Sequence, residues 1–215
     1  VLALTRSGTT TEVLELLKEL RGSITTVAIT ADATTPVSDL ADNTVVLDFA
    51  DERSVVQTRF ATSQLALLRT HLGDDITPVA AQAETALAEP IPGPLVTAEQ
   101  FTFLGRGWTY GLAQEAALKM REAARAWTEA YPAMEYRHGP ISIAGPGRVT
   151  WVLGQPPEAL CEDIERTGAA LVRSTLDPLA DLVRVQRLAV AIAGARALDP
   201  DAPRHLTRSV ILDES

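Results

Sequence analysis

Through the first part of the chain, short leucine-rich or β-branched runs alternate with longer stretches in which apolar residues recur every three or four positions. That alternation predicts strands and helices in turn. Val1–Thr5 suits a buried strand, and Thr10–Arg21 a helix with Val13, Leu16, Leu17 and Leu20 on one face, stopped by Gly22. Thr25–Thr30 predicts a second strand, Asp39–Ala41 a short helix and Thr44–Phe49 a third strand. Ser54–Leu72 and Thr77–Ala88 predict helices. Strands separated by helices imply parallel pairing through right-handed crossovers.

The run PIPGP at Pro90–Pro94 interrupts the pattern and predicts an irregular crossing. The alternation then restarts. Phe101–Leu104 predicts a strand, Gly105–Gly107 a turn and Tyr110–Ala130 a long Ala-rich helix. Val149–Leu153 and Ala169–Ser174 predict strands around a helix at Pro157–Gly168. Leu179–Leu182 is a brief segment before a closing helix at Arg184–Ala197. The opening stretch can be laid over VTWVLGQPPEALCEDIERTGAALVRST with the same order of elements, but only the later copy has the preceding strand FTFLGRG and its helix. This weak internal repeat predicts two related halves, with the opening strand and helix of the first expected to precede Val1. The expected division is a first subdomain at 1–89, a Pro-rich linker at 90–98, a second subdomain at 99–197 and a tail at 198–215.

Composition narrows the class. The 215 residues are 46% apolar and 22% charged, enough for a substantial core. Nineteen basic against 28 acidic residues give a net charge of −9, which argues against nonspecific binding to nucleic acid or to anionic membranes. Cys161 is the sole cysteine, so no internal disulfide forms; it reads as a small buried hydrophobe and suits a reducing cytoplasm. No apolar run is long enough to span a membrane. No Cys/His cluster has zinc spacing, and GRGWTYG lacks both the dinucleotide and the P-loop patterns.

The candidate chemistry starts with LTRSGTTTEV. Ser7-Gly8-Thr9-Thr10 falls between the carboxyl end of a parallel strand and a helix, where free N–H groups, the helix dipole and added hydroxyls suit a phosphate. Plain N-capping is the competing reading. On the Ala-rich helix, Glu115, Lys119 and Glu122 share a face; a carboxylate there can shuttle a proton, yet the spacing also suits a simple ion pair. His138, in EYRHGPI, is held by the constrained Gly139-Pro140 turn, whereas His71 and His205 read as surface residues.

These stretches together resemble the sugar isomerase (SIS) domain family over essentially the whole chain. The resemblance is to the isomerase portion of glucosamine-6-phosphate synthase and to related ketose/aldose isomerases, deaminases and deglycases. It rests on the hydroxyl-rich loop, on EAALKMREAARAWTEAYPAMEYRHGPISIA and on the ending APRHLTRSV. It implies two doubly wound, three-layer α/β/α subdomains with parallel, flavodoxin-like sheets. It also implies a phosphate loop of Thr5, Arg6, Ser7 and Thr10, with Val55 and Gln57 near the sugar. Glu122 falls at the place of the proton-shuttling base, with Lys119 nearby. His138 matches a ring-opening histidine that reaches the site from the neighbouring subunit, and Arg208 stands where the synthase has a lysine.

Departures from the family change the expectations. Arg208 cannot form a Schiff base, although it can bind an anion or an enolate. Arg6 replaces a neutral Gln and is expected to strengthen anion binding. No glutaminase domain is visible, so glutamine-dependent amination is not expected. The expected function is a cytoplasmic phosphosugar aldose–ketose isomerase, or an amino-sugar-phosphate isomerase/deaminase. A ketosamine-phosphate deglycase or a noncatalytic phosphosugar sensor is the alternative. No metal or organic cofactor is implied, and a homodimer with shared active sites is expected.

Overall fold

The structure is a computed structural model and describes residues 1–212; positions 213–215 of the predicted tail lie outside the described residues. Two compact units emerge. The first comprises residues 1–74 with 204–212, the second Asp75–Pro203.

In the first unit, β1 (Leu2–Leu4), β2 (Val27–Thr30) and β3 (Asn43–Val46) form a parallel sheet in that order. The crossovers carry α1 (Thr11–Leu20) and α2 (Val37–Leu40), and α3 (Arg59–His71) follows β3. One core joins Leu17 of α1 to Ala3, Ala28 and Val37. A second joins Phe60 of α3 to Ile29, Ala31, Leu47 and Ala50. Full burial of a side chain such as Leu17 is worth about 1.5–3 kcal/mol.

Two predicted boundaries move. The third strand stops at Val46, because residues 48–50 form a 3₁₀ turn in which the Asp48 carboxylate accepts the Phe49 N–H. The predicted helix from Ser54 begins only at Arg59. The Glu52 carboxylate accepts the N–H groups of Thr58 and Phe60, each at 2.9 Å, and fixes the helix start there. Before it, the Ser54 hydroxyl accepts the Val56 N–H and holds residues 54–58 as a loop.

The second unit contains α4 (Thr77–Ala88), α5 (Gly93–Val96), β4 (Gln100–Gly105), α6 (Thr109–Ala124) and β5 (Trp127–Pro132). Two 3₁₀ turns follow at Ala133–His138 and Pro140–Ile143, then β6 (Arg148–Leu153), α7 (Glu158–Arg166), β7 (Ala170–Val172) and α8 (Pro178–Ala195). All pairings are parallel in the order β5-β4-β6-β7, so the winding reverses between β4 and β6. The α/β class expected from the sequence, with two parallel sheets and flanking helices, is that observed; the doubly wound order is seen in the second unit, whereas the three strands of the first follow one another without a reversal.

Helix α4, assigned to the first subdomain by the sequence, packs on α8 of the second unit, and Arg187 bonds the carbonyls of Ala86 and Glu89. The predicted helix Tyr110–Ala130 ends at Ala124. Arg125 takes the left-handed conformation, and Trp127–Pro132 pairs with β4 instead. Leu179–Leu182 and Arg184–Ala197 are one helix, started by the Asp177 carboxylate accepting the Leu179 N–H. Within PIPGP, a helical turn begins at Gly93, with Pro94 in the first turn where its missing N–H costs nothing.

The register assigns the two sheet faces. Thr128 bonds the Ala117 carbonyl of α6, and Trp151 donates to Asp181 of α8, so α6 and α8 cover the face that includes Phe101 and Phe103. Burial pushes the Asp181 carboxyl upward, against the opposing pull of its bonds from Trp151 and Arg184. The opposite face carries Leu104, Val152 and the Tyr136–Thr150 hydroxyl contact, together with α7 residues Leu160 and Ile164.

Candidate functional site

The hydroxyl-rich loop leaves the carboxyl end of β1 and leads into α1. Its shape depends on Gly8, at φ +63°, where a Cβ would lie 1.9 Å from Thr35 Oγ1 and 2.9 Å from Val37 Cγ1. The Thr5 hydroxyl is buried and accepts the Gly8 N–H at 3.2 Å, closing the turn. Thr10 stands at the N-cap position, but its side chain makes no cap hydrogen bond. Plain capping therefore does not account for these hydroxyls.

Their partner is the tail. Ser209 Oγ lies 2.9 Å from Thr9 Oγ1, 3.3 Å from Ser7 Oγ and 3.4 Å from Thr10 Oγ1. The Val210 carbonyl accepts the Thr11 N–H at 3.1 Å. Arg208 is anchored by Asp51 Oδ1 at 2.5 Å and by the Glu52 carbonyl. Asp51, Glu52 and Ser209 are partners that the sequence alone does not point to. Ser209 was marked only by its place beside Arg208, and the other two carried no signal.

Arg6 is turned inward. It is 2% exposed, and its guanidinium donates to the Ser54 carbonyl at 2.7 Å and the Val55 carbonyl at 3.4 Å. Contrary to a role as a loop cation reaching outward, it braces the segment bearing Val55 and Gln57. Thr5, Arg6, Ser7, Thr10, Val55, Gln57 and Arg208 thus all belong to the first unit, and all but Gln57 take part in these bonds.

In the second unit, Lys119 is 4% exposed and donates to Glu122 Oε2 at 2.6 Å, with Glu115 Oε1 at 3.5 Å. Arg121, one residue away, reaches Thr128 Oγ1 at 3.0 Å and ties α6 to β5. His138 ends the 3₁₀ turn Ala133–His138 and is exposed, and Gly139 at φ +139° reverses the chain after it. Helix α6 and this turn pack on opposite faces of the sheet, and no hydrogen bond among the described residues joins Glu122 to His138. Cys161 is buried and burial pushes its thiol upward, in keeping with a packing role. Among the described residues, no cluster of His, Cys, Asp and Glu could hold a metal ion, and no helix is long and apolar enough to cross a membrane.

No protein-family model matches the chain. It is 32% identical to the isomerizing glutamine–fructose-6-phosphate aminotransferase of Nostoc sp., a match covering 61% of this chain and 26% of the relative. The enzyme of that name from Aeropyrum pernix is 28% identical, with 99% of this chain and 43% of the relative covered. The chain therefore spans less than half the length of these curated relatives. Among solved structures, glucosamine-6-phosphate deaminase from Thermotoga maritima superposes with a TM-score of 0.79 at 24% identity, covering 98% of this chain and 75% of that one. The chain is thus similar to these aminotransferases over part of their length, and it shares the fold of the deaminase structure.

Proposed function

We propose that this chain acts on a phosphorylated sugar or amino sugar, as an aldose–ketose isomerase or an isomerase/deaminase. The observation that carries the reading is the set of hydroxyls on Ser7, Thr9 and Thr10, gathered within 3.4 Å of one point at the carboxyl edge of β1 and the start of α1. The sequence relatives, enzymes named for a phosphosugar and for isomerization, support it.

In this reading the loop from Thr5 to Thr10 holds the phosphate, while Arg6 keeps Val55 and Gln57 in place for the sugar. His138 moves a proton to open the ring. The Glu122 carboxylate then takes a proton from one of the first two carbons and returns it to the other as the carbonyl shifts between them. Lys119 orients Glu122 through the 2.6 Å contact. Helix α6 and the His138 turn cover opposite sheet faces, which favours a homodimer in which each subunit's histidine serves its partner. The protein works in the cytoplasm, with neither nucleic acid nor membrane as partner.

The test is an assay of hexose and hexosamine phosphates, with product identity read directly. Isomer formation or ammonia release is expected, with turnover about 10²-fold lower in Glu122→Gln and phosphosugar binding retained. Tight binding without turnover by the native protein overturns the catalytic reading in favour of a sensor. Cleavage of a ketosamine phosphate alone identifies a deglycase.

A further inference from the structure

The tail uses the same groups that the phosphate reading needs. Ser209 Oγ is shared among three loop hydroxyls, and a hydroxyl has one proton and two acceptor sites, so Ser209 is saturated by its neighbours. The Val210 carbonyl takes the first N–H of α1, from Thr11, and the Leu212 N–H donates to the Thr11 hydroxyl at 2.9 Å. Thr207 bonds the Ser209 carbonyl at 2.7 Å, and Arg208 anchors the segment on Asp51. An uncharged oxygen and a backbone carbonyl thus stand among donors suited to phosphate oxygens.

We propose that the segment Ser209–Leu212 is a built-in competitor for the anion, so that a phosphate engages Ser7, Thr9, Thr10 and the Thr11 N–H only as the tail releases them. The inference rests on the phosphate reading above and adds its regulation. Linkage makes the effect reciprocal: whatever loosens the tail tightens phosphate binding, and phosphate loosens the tail by the same factor. The anchor at Asp51 is exposed, so the clasp is weak enough to open.

The experiment is calorimetric titration of the full chain with inorganic phosphate, using the native protein, Ser209→Ala, Asp51→Asn and Thr10→Ala. Ser209→Ala removes the hydroxyl clasp and Asp51→Asn weakens the anchor without touching the loop. Each is expected to tighten phosphate binding by about 3–10-fold, the equivalent of one net hydrogen bond. Thr10→Ala removes a donor and is expected to weaken it. Unchanged or weaker binding in both Ser209→Ala and Asp51→Asn, with the Thr10→Ala loss intact, overturns competition while leaving the phosphate site standing. Binding that Thr10→Ala does not affect, or that no variant shows, overturns the phosphate reading and this inference with it.

Discussion

Replacing Gly8 by alanine tests whether the proposed phosphate loop is shaped from within the first unit. The left-handed backbone at φ +63° costs a residue bearing a Cβ about 1–2 kcal/mol. The new methyl would also meet Thr35 Oγ1 at 1.9 Å and Val37 Cγ1 at 2.9 Å, contacts that force a shift. Overpacking of this kind costs about 1–3 kcal/mol. The sum, roughly 2–5 kcal/mol, is a large part of the stability of an ordinary domain. In urea unfolding the midpoint is expected to fall by about 1–3 M with an unchanged slope. A second variant separates the two contributions. Thr35→Gly removes both Thr35 atoms from the clash but leaves the φ strain and the Val37 contact, so Gly8→Ala should cost less in that background. The difference is a coupling of about 1–2 kcal/mol in a double-mutant cycle. A Gly8→Ala loss below about 0.5 kcal/mol, or a coupling of zero, would refute the account of this loop.

Two further outcomes follow from the geometry. Burial pushes the Glu52 carboxyl upward, but the bonds from the Phe60 N–H, the Thr58 hydroxyl and the adjacent amides outweigh it and hold it below the ordinary value. A depressed folded pKa gives stability that is present above the unfolded value of about 4.3 and is lost as the pH falls through the folded value. Glu52→Gln should therefore be less stable than the native chain by about 1 kcal/mol at pH 7, as for a lost helix cap, and the gap should close on acidification; a gap independent of pH contradicts the role. For the proposed shared site, mixing inactive His138→Ala and Glu122→Gln proteins under subunit exchange should restore about half the native activity per heterodimer, since one of its two sites is intact. Exchange confirmed by mass without recovery means that His138 acts within its own chain.

Much of the fold is legible because burial imposes a period on the sequence. Alternating runs locate six of the strands, all but β5, and the Gly22 stop of α1 is local chemistry. The misplaced boundaries share another cause. β5 is hidden because alanines continue past Ala124, and only pairing of Trp127–Pro132 with β4 turns them from helix to strand. The start of α3 is set by Glu52, a carboxylate six residues before the first amide it captures. Arg6 shows the same limit within the site. A cation in a hydroxyl loop suggests an anion, but its bonds go to the Ser54 and Val55 carbonyls, which the sequence places 48 and 49 residues away.

The Lys119–Glu122 pair was legible from spacing, and its geometry shows why an ion pair and a catalytic role need not compete. Lys119 retains 5% of its side-chain exposure and Glu122 19%. Removing the carboxylate therefore takes the nearer partner from a buried ammonium and leaves it Glu115 at 3.5 Å, costing at most about 3–5 kcal/mol and less here because of that second carboxylate and because Glu122 keeps some contact with water. An inactive Glu122→Ala protein would thus confuse unfolding with lost chemistry. Glu122→Gln keeps a carbonyl oxygen for the ammonium and removes the basic oxygen that takes the proton. If the pair is only structural, the two variants should rank by stability and turnover should follow the folded fraction. If Glu122 is the base, Glu122→Gln should remain folded, bind the phosphosugar and still lose its rate. Turnover near the native value in a folded Glu122→Gln protein would leave the carboxylate as an anchor for Lys119 and nothing more.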